Sequence, residues 1–318
     1  MSPFAPRPDQ LKTAPRVFTL VIPALCLAYL SVMTALGGPH PEHWLAAGIA
    51  LLLALWSDHT RQLARVGLPF VLYAVIYDSM RWYEDYIRSP VIHVHEPYDF
   101  DLRFFAIGGS TPNEWLQRHT VPFLDFICGL AYTPFFFIGE SVLLSLWLVW
   151  RGQAPRGQRF VWVFFVANLI GFSCYYIYPA APPWYVTDHG FTVDLSVRAS
   201  AAGALRFDQL VGMPIMRDFY GHSADVFGAI PSLHVVYPFL SLVYGWPLRR
   251  FRLWAIPYFF LVCFSAVYLN HHYVLDLFLG LGIASAVAVA ARALFGPLAM
   301  SPVRELPVPA SLGSREAA

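Results

Sequence analysis

Three side chains in this 318-residue chain have the types and spacing for chemistry: His234, His272 and Asp276. His272 and Asp276 stand four apart, the interval that places two side chains on one helix face. An aspartate on one imidazole nitrogen fixes the tautomer and makes the other nitrogen a better nucleophile. His271, five residues from Asp276, is expected to point away. His234 closes the stretch Phe227-Gly-Ala-Ile-Pro-Ser-Leu-His234, a tight loop opening an apolar helix. Ser232 suits the N-cap of that helix, and Asn270 suits the N-cap of the helix carrying Asp276. Both histidines then fall in first turns, where free N–H groups and a partial positive charge favour a phosphate. A lone interfacial histidine is ordinarily only a wetted polar residue. An acid one turn inside an apolar helix is costly without a partner, which weights the functional reading. Two histidines and an aspartate are also legitimate zinc ligands, but closely spaced ligand pairs are missing. No metal and no cofactor are expected.

The elements that must position these residues are membrane helices. The chain is 57% hydrophobic and 13% charged, where a soluble domain carries about 25% charged residues. Mean hydropathy is +0.52. The net charge of +1 gives no reason to invoke nucleic acid, and Lys12 is the only lysine. Cys26, Cys128, Cys174 and Cys263 all lie in apolar runs without metal-ligand spacing and read as packing residues. Apolar runs predict spans at Val17–Leu36, Trp44–Trp56, Val66–Tyr77, Phe123–Trp150, Phe160–Tyr178, Leu233–Trp246, Leu253–Leu269 and Tyr273–Phe295. Pro134 predicts a kink in the fourth. The expected fold is all-α, a polytopic membrane helix bundle of about eight transmembrane helices. Residues 16–296 are expected to form one membrane-embedded domain, with disordered tails over 1–15 and 297–318.

Arginine placement orients this bundle. The loops at 57–66, 151–159 and 247–252 carry Arg61 and Arg65; Arg151, Arg156 and Arg159; and Arg249, Arg250 and Arg252. Short arginine-rich loops stay cytoplasmic. With eight spans and a cytoplasmic N-terminus, all three fall inside. His234 and His272 then fall together on the outer face.

Pro231-Ser-Leu-His234 with His272-x-x-x-Asp276 resembles two signatures of the type 2 phosphatidic acid phosphatase superfamily. Adding Tyr178-Pro-Ala-Ala-Pro-Pro-Trp-Tyr185 and Gly203-Ala-Leu-Arg-Phe-Asp208, the chain is similar to the fungal inositol phosphorylceramide synthases over roughly residues 160–285. The resemblance implies a six-helix phosphatase-like core. It implies His272 as the nucleophile that forms a phosphohistidine, Asp276 as its orienting group, and His234 as acid and then base. Arg206 holds phosphate oxygens or pairs with Asp208 or another loop acid. Ser232, Tyr273, Trp184, Tyr185 and Asp208 are further candidates for substrate contact. Phosphatases of the superfamily carry a Lys-x6-Arg-Pro element and an arginine six residues before the second histidine. Here that position is Ala266 and no suitable lysine exists. Fewer cations favour a diester monoanion over a monoester dianion.

The expected activity is transfer of a phospho-head-group, best matched by phosphoinositol, from a phosphatidylinositol-like phospholipid to a ceramide-like alcohol. A lipid phosphate phosphatase using water is the alternative, and a transporter with a histidine-lined cavity is one from another class. The 178–185 stretch reads as an interfacial aromatic belt or as a rigid lip admitting lipids. His93, His95, Tyr98, Asp99 and Asp101 read as solvated loop or as readers of inositol hydroxyls. Glu140 and Asn168 read as interhelix hydrogen-bonding groups. A compact chain leans towards a bacterial inner membrane over the Golgi.

Overall fold

The computed structural model describes residues 18–35, 41–221 and 225–298. The expected tails therefore lie outside the described residues, except for residues 297 and 298. Helices α1 (Phe18–Ala35), α2 (Pro41–Leu55) and α3 (Asp58–Ile87) come first. Two short helices, α4 (His95–Phe104) and α5 (Pro112–Gln117), lead into α6 (Pro122–Ala131), α7 (Pro134–Trp150) and α8 (Ala154–Ile177). Three more short ones, α9 (Pro183–His189), α10 (Leu205–Val211) and α11 (Ile215–Gly221), precede α12 (Leu233–Gly245), α13 (Arg249–Tyr268) and α14 (Val274–Phe295). No strand forms among the described residues; only isolated bridges occur, such as Ala180 with His93 and with Gly228.

Among the described residues, α3, α8, α13 and α14 are long and apolar enough to cross a membrane. The pair α6 and α7, bent by 40°, adds a fifth. The bend falls just before Pro134, which takes the first position of α7, where its missing N–H costs nothing. Three shorter apolar helices, Thr19–Ala35, His43–Leu55 and Leu233–Gly245, account for the remaining expected segments. The supposed loop 57–66 is helical from Asp58, because Ser57 caps α3 by accepting from the Thr60 N–H.

Helix α1 packs on α2 and α2 on α3, while α3, α7, α8, α12 and α14 share one core. Phe160, Phe164 and Ala167 of α8 and Val236 and Leu240 of α12 are fully enclosed there. Tyr237 crosses this core and donates to the Asn168 carbonyl oxygen at 2.8 Å, an interhelix bond of the kind expected for Asn168. Glu140 differs: both its carboxyl oxygens are buried without a hydrogen-bond partner among the described residues.

Chain direction sorts the bundle's two ends. The C-terminus of α3 meets that of α8 through the Ser89 N–H and the Tyr176 carbonyl at 2.8 Å. The N-terminus of α8 meets the C-terminus of α14, where Arg159 donates to the Gly296 carbonyl at 2.6 Å and to Phe295 at 3.0 Å. The arginine-bearing starts of α3, α8 and α13 therefore lie at one end, and the starts of α12 and α14 at the other.

Candidate active site

Two backbone motifs bring the histidines together. Helix α13 ends in a Schellman motif. The Asn270 N–H bonds the Val267 carbonyl at 3.0 Å, and the His271 N–H bonds the Ala266 carbonyl at 3.1 Å. Asn270 takes the left-handed conformation this ending needs, at φ 64, which asparagine tolerates better than most residues. Asn270 is thus the residue past the end of α13, correcting its reading as the N-cap of α14. Its side-chain amide donates to Thr187 Oγ1 at 3.1 Å.

His272 correspondingly precedes α14 instead of sitting in its first turn, and Tyr273 holds the N-cap position. Asp276 reaches back from the third residue of α14, so it still meets His272. Its Oδ2 accepts from the Tyr273 N–H at 2.9 Å and lies 3.2 Å from His272 Nδ1. Asp101 of α4 caps α14 from a distance, accepting from the Val274 and Leu275 N–H groups at 2.7 and 3.1 Å. Asn113 of α5 clamps the same turn by donating to the carbonyls of His272 and Val267, each at 3.0 Å.

The loop before α12 docks on this turn. The Ser232 N–H donates to the Asp276 carbonyl at 3.0 Å. The Ser232 hydroxyl makes no capping bond, against expectation, and is buried without a partner among the described residues. Close approach requires Gly280 of α14: a Cβ there would lie 2.3 Å from the Ser232 carbonyl oxygen.

The result is a continuous file of contacts. His272 Nδ1 lies 3.0 Å from the Ala229 carbonyl and 3.2 Å from Asp276 Oδ2. His272 Nε2 lies 3.1 Å from His234 Nδ1, and His234 Nε2 lies 3.1 Å from the Tyr220 hydroxyl. A backbone carbonyl can only accept, so His272 Nδ1 carries the hydrogen and Nε2 carries the lone pair. His272 and Asp276 are both buried. Burial pushes the His272 imidazole down to about 4 and His271 down to about 3.

Both histidines open into a cavity of about 860 Å³, its mouth included. Tyr73, Tyr77, Tyr175 and Trp184 wall it, Asp225 is the acid on its wall, and no lysine or arginine lines it among the described residues. His271 turns away from Asp276 as expected, towards the Ala201 carbonyl at 3.0 Å, yet it lines this cavity too.

Of the expected substrate contacts, Trp184 alone reaches the wall. Arg206 donates to Asp125 Oδ1 at 2.6 Å and to Gln117 Oε1 at 2.9 Å, so its acid partner is Asp125 of α6 and not Asp208. Asp208 instead accepts from the Met216 and Arg217 N–H groups at the start of α11, both at 2.8 Å. The Tyr185 hydroxyl donates to the Thr192 carbonyl at 2.9 Å, and the Tyr273 hydroxyl is buried without a partner among the described residues. None of His93, His95, Tyr98, Asp99 and Asp101 lines the cavity. His93 stacks on Tyr178, Tyr98 bonds Glu114, and Asp101 caps α14. Sequence reasoning passed over Tyr132, Tyr220 and Asp225. Tyr132 stacks on His234 with ring centroids 4.3 Å apart. Among the described residues no group of three or more His, Cys, Asp or Glu side chains converges in a metal-holding arrangement.

Known proteins are similar to this chain over most of its length. The profile of the PAP2 superfamily matches residues 103–290. The phosphoinositol dihydroceramide synthase of Bacteroides thetaiotaomicron is 34% identical over 274 residues, covering 84% of this chain and 88% of that protein. The inositol phosphorylceramide synthase catalytic subunit of Schizosaccharomyces pombe is 29% identical over 260 residues, covering 80% of this chain and 60% of the fungal protein. The corresponding catalytic subunit of Saccharomyces cerevisiae is 28% identical over 218 residues, 67% of this chain and 53% of that protein. No solved structure matches the chain. With a superfamily match over more than half its length and a close likeness across most of it, the chain belongs to the PAP2 superfamily, in its inositol phosphorylceramide synthase-like branch.

Proposed function

We propose that this integral membrane enzyme moves a phosphoinositol head group from a phosphatidylinositol-like lipid to a ceramide-like alcohol through a phosphohistidine on His272. The observation that carries the reading is the 3.1 Å contact between His234 Nδ1 and His272 Nε2 inside one cavity. A phosphodiester entering there replaces that contact and lies between the two nitrogens. His272 Nε2 attacks phosphorus, the bond to the diacylglycerol oxygen breaks, and protonated His234 gives that oxygen its Nδ1 proton. Ceramide then presents its hydroxyl, His234 takes the proton back, and the new P–O bond forms as P–N breaks. Asp276 and the Ala229 carbonyl hold the His272 tautomer throughout. Imidazole serves both directions of proton transfer near neutral pH.

Two further features support transfer over hydrolysis. The cavity wall carries no lysine or arginine among the described residues, which suits the single charge of a diester. Two relatives that cover most of this chain are named as phosphoinositol dihydroceramide synthase and inositol phosphorylceramide synthase catalytic subunit. In this reading Trp184 contacts lipid at the lip, while Arg206, Asp208, Ser232, Tyr185 and Tyr273 build the frame. The cavity opens on the exoplasmic face, in a bacterial inner membrane on its periplasmic side.

The test uses purified protein with head-group-labelled phospholipids and ceramide, with products read by mass. Label on ceramide is expected, and His272→Ala should lower transfer by about a thousandfold or more, as loss of a nucleophile does. Release of free phosphate or inositol phosphate instead would establish the hydrolase. Full transfer by His272→Ala would exclude the mechanism.

A further inference from the structure

His234 must hold a proton in one half of this transfer and accept one in the other. Its environment contains a group suited to both states. The hydrogen on His272 Nδ1 leaves Nε2 as an acceptor, so His234 Nδ1 is the donor in their 3.1 Å contact. A neutral His234 then has its lone pair on Nε2, and the Tyr220 hydroxyl at 3.1 Å donates to it. The same hydroxyl lies 3.5 Å from the Tyr132 carbonyl. When His234 takes up a proton at Nε2, that N–H donates to the Tyr220 oxygen, and the Tyr220 hydrogen turns to the Tyr132 carbonyl. A hydroxyl donates and accepts at once, so the one oxygen serves both states.

Resting on the transfer reading above, we infer that Tyr220 is a positioning residue of the reaction: it holds His234 with Nδ1 towards the phosphate, donates to Nε2 in the resting neutral form, and accepts from Nε2–H once His234 is charged and while its Nδ1 proton is given up and regained. The ring of Tyr220 packs against His271 in a tilted contact, centroids 4.6 Å apart, while Tyr132 stacks over the face of His234. Tyr132 also presents a π-face to the imidazolium, a favourable contact for a cation. Phe137 from α7 and His272 and His271 from the α13–α14 turn also face His234, with Asp276 behind His272, and Tyr73 and Tyr77 of α3, Tyr175 of α8, Tyr237 of α12 and Asp225 line the same cavity. None of these accepts a hydrogen bond from His234 Nε2. Binding of the anionic donor is therefore coupled to uptake of one proton at His234, which Tyr220 accommodates by turning its hydroxyl. The proton passes to the leaving diacylglycerol oxygen and returns from the acceptor hydroxyl, so none is consumed over a full cycle.

The test is Tyr220→Phe, which removes the hydroxyl and keeps the ring contacts. Transfer is measured from pH 5 to 9 beside the wild type and His272→Ala. A charged hydrogen-bond donor that loses its acceptor is disfavoured by about tenfold or more, so kcat is expected to fall by about that factor. The alkaline limb of kcat should move down by about one pH unit, since the imidazolium has lost a partner and deprotonates sooner. Limb position does not depend on how much protein is folded, so a merely structural role would leave it unmoved. An unmoved limb overturns the inference whatever happens to kcat. If His272→Ala still transfers, the transfer chemistry itself is misread. If His272→Ala is inactive and Tyr220→Phe behaves as wild type, only the role of Tyr220 fails.

Discussion

On the proposed reading of His272 as the nucleophile, the acid side of the pH profile belongs to it. Its imidazole lies below an ordinary value of 6.5, at about 4, because burial penalises the charged form. Protonation of Nε2 removes the attacking lone pair, so activity is lost as pH falls through the shifted value, not the ordinary one. The acid limb of kcat/KM for the donor is expected near pH 4 to 5, with full activity retained at pH 6; a limb above 6 would contradict the buried nucleophile. The same shift favours folding at pH above 6.5, and that contribution declines as pH falls towards 4. His272 and Asp276 were legible as a pair because an acid in an apolar run is rare and their spacing is local, whereas the contact of His234 with His272 spans 38 positions and followed only from which ends of the helices meet. Tyr220 was not legible, being one of 17 tyrosines and 14 residues from the histidine it serves, in a segment with no periodicity. Arg206 was legible as a charge in need of a partner, but Asp125 lies 81 positions away and leaves no local trace.

At the scale of elements, the site depends on how tightly α14 seats against the loop before α12. Gly280 sets that distance, and the atom a Cβ would strike is a backbone oxygen, which cannot swing aside. Gly280→Ala is expected to cost about 1–3 kcal/mol, as overpacking does, and to push Ser232 off Asp276. The His234–His272 spacing would widen and transfer fall by about tenfold or more, since small misplacements at reacting atoms cost that much. Gly282→Ala is the control, because a Cβ there meets nothing within 4 Å. Equal activity and unfolding temperature in the two variants would show that the contact does not set the geometry. This contact could not be read from the chain, because a glycine in an apolar helix carries no mark of what faces it. Asn270 shows the opposite problem. Asparagine is a good residue both for opening a helix and for the left-handed step that closes one. Only five residues, 269 to 273, separate α13 from α14, so the sequence supported either reading. Asp101, which caps α14 across 173 positions, was visible as an acid but not as a cap.

Across the whole molecule, apolar runs located the membrane helices, but their true ends lie elsewhere. Helix α3 runs for 30 residues while its membrane-compatible part is Leu63–Met80. Its last turns carry Arg81, Glu84 and Asp85, and a hydropathy run cannot show that they stay helical. The stretches between the apolar runs at the histidine end fold into α4, α5, α9, α10 and α11, held by caps and tertiary bonds instead of periodicity. What the arginines showed is an asymmetry, and the fold gives it a geometric form: arginine-bearing helix starts at one end, histidines at the other. On the proposed orientation, with the positive charge retained on the cytoplasmic side, the cavity mouth faces the exoplasmic side. Two exposed positions separate the alternatives, Asp188 in α9 beside the site and Arg250 at the start of α13. In a background with Cys26, Cys128, Cys174 and Cys263 replaced by alanine, Asp188→Cys should react with a membrane-impermeant maleimide on intact cells. Arg250→Cys should react only after permeabilisation. The reverse pattern would place the histidines on the cytoplasmic face, and labelling of both positions on intact cells would mean that the chain between them does not cross the membrane an odd number of times. The expected pattern requires α12, although only 13 residues long, to carry the chain from the site to the arginine end.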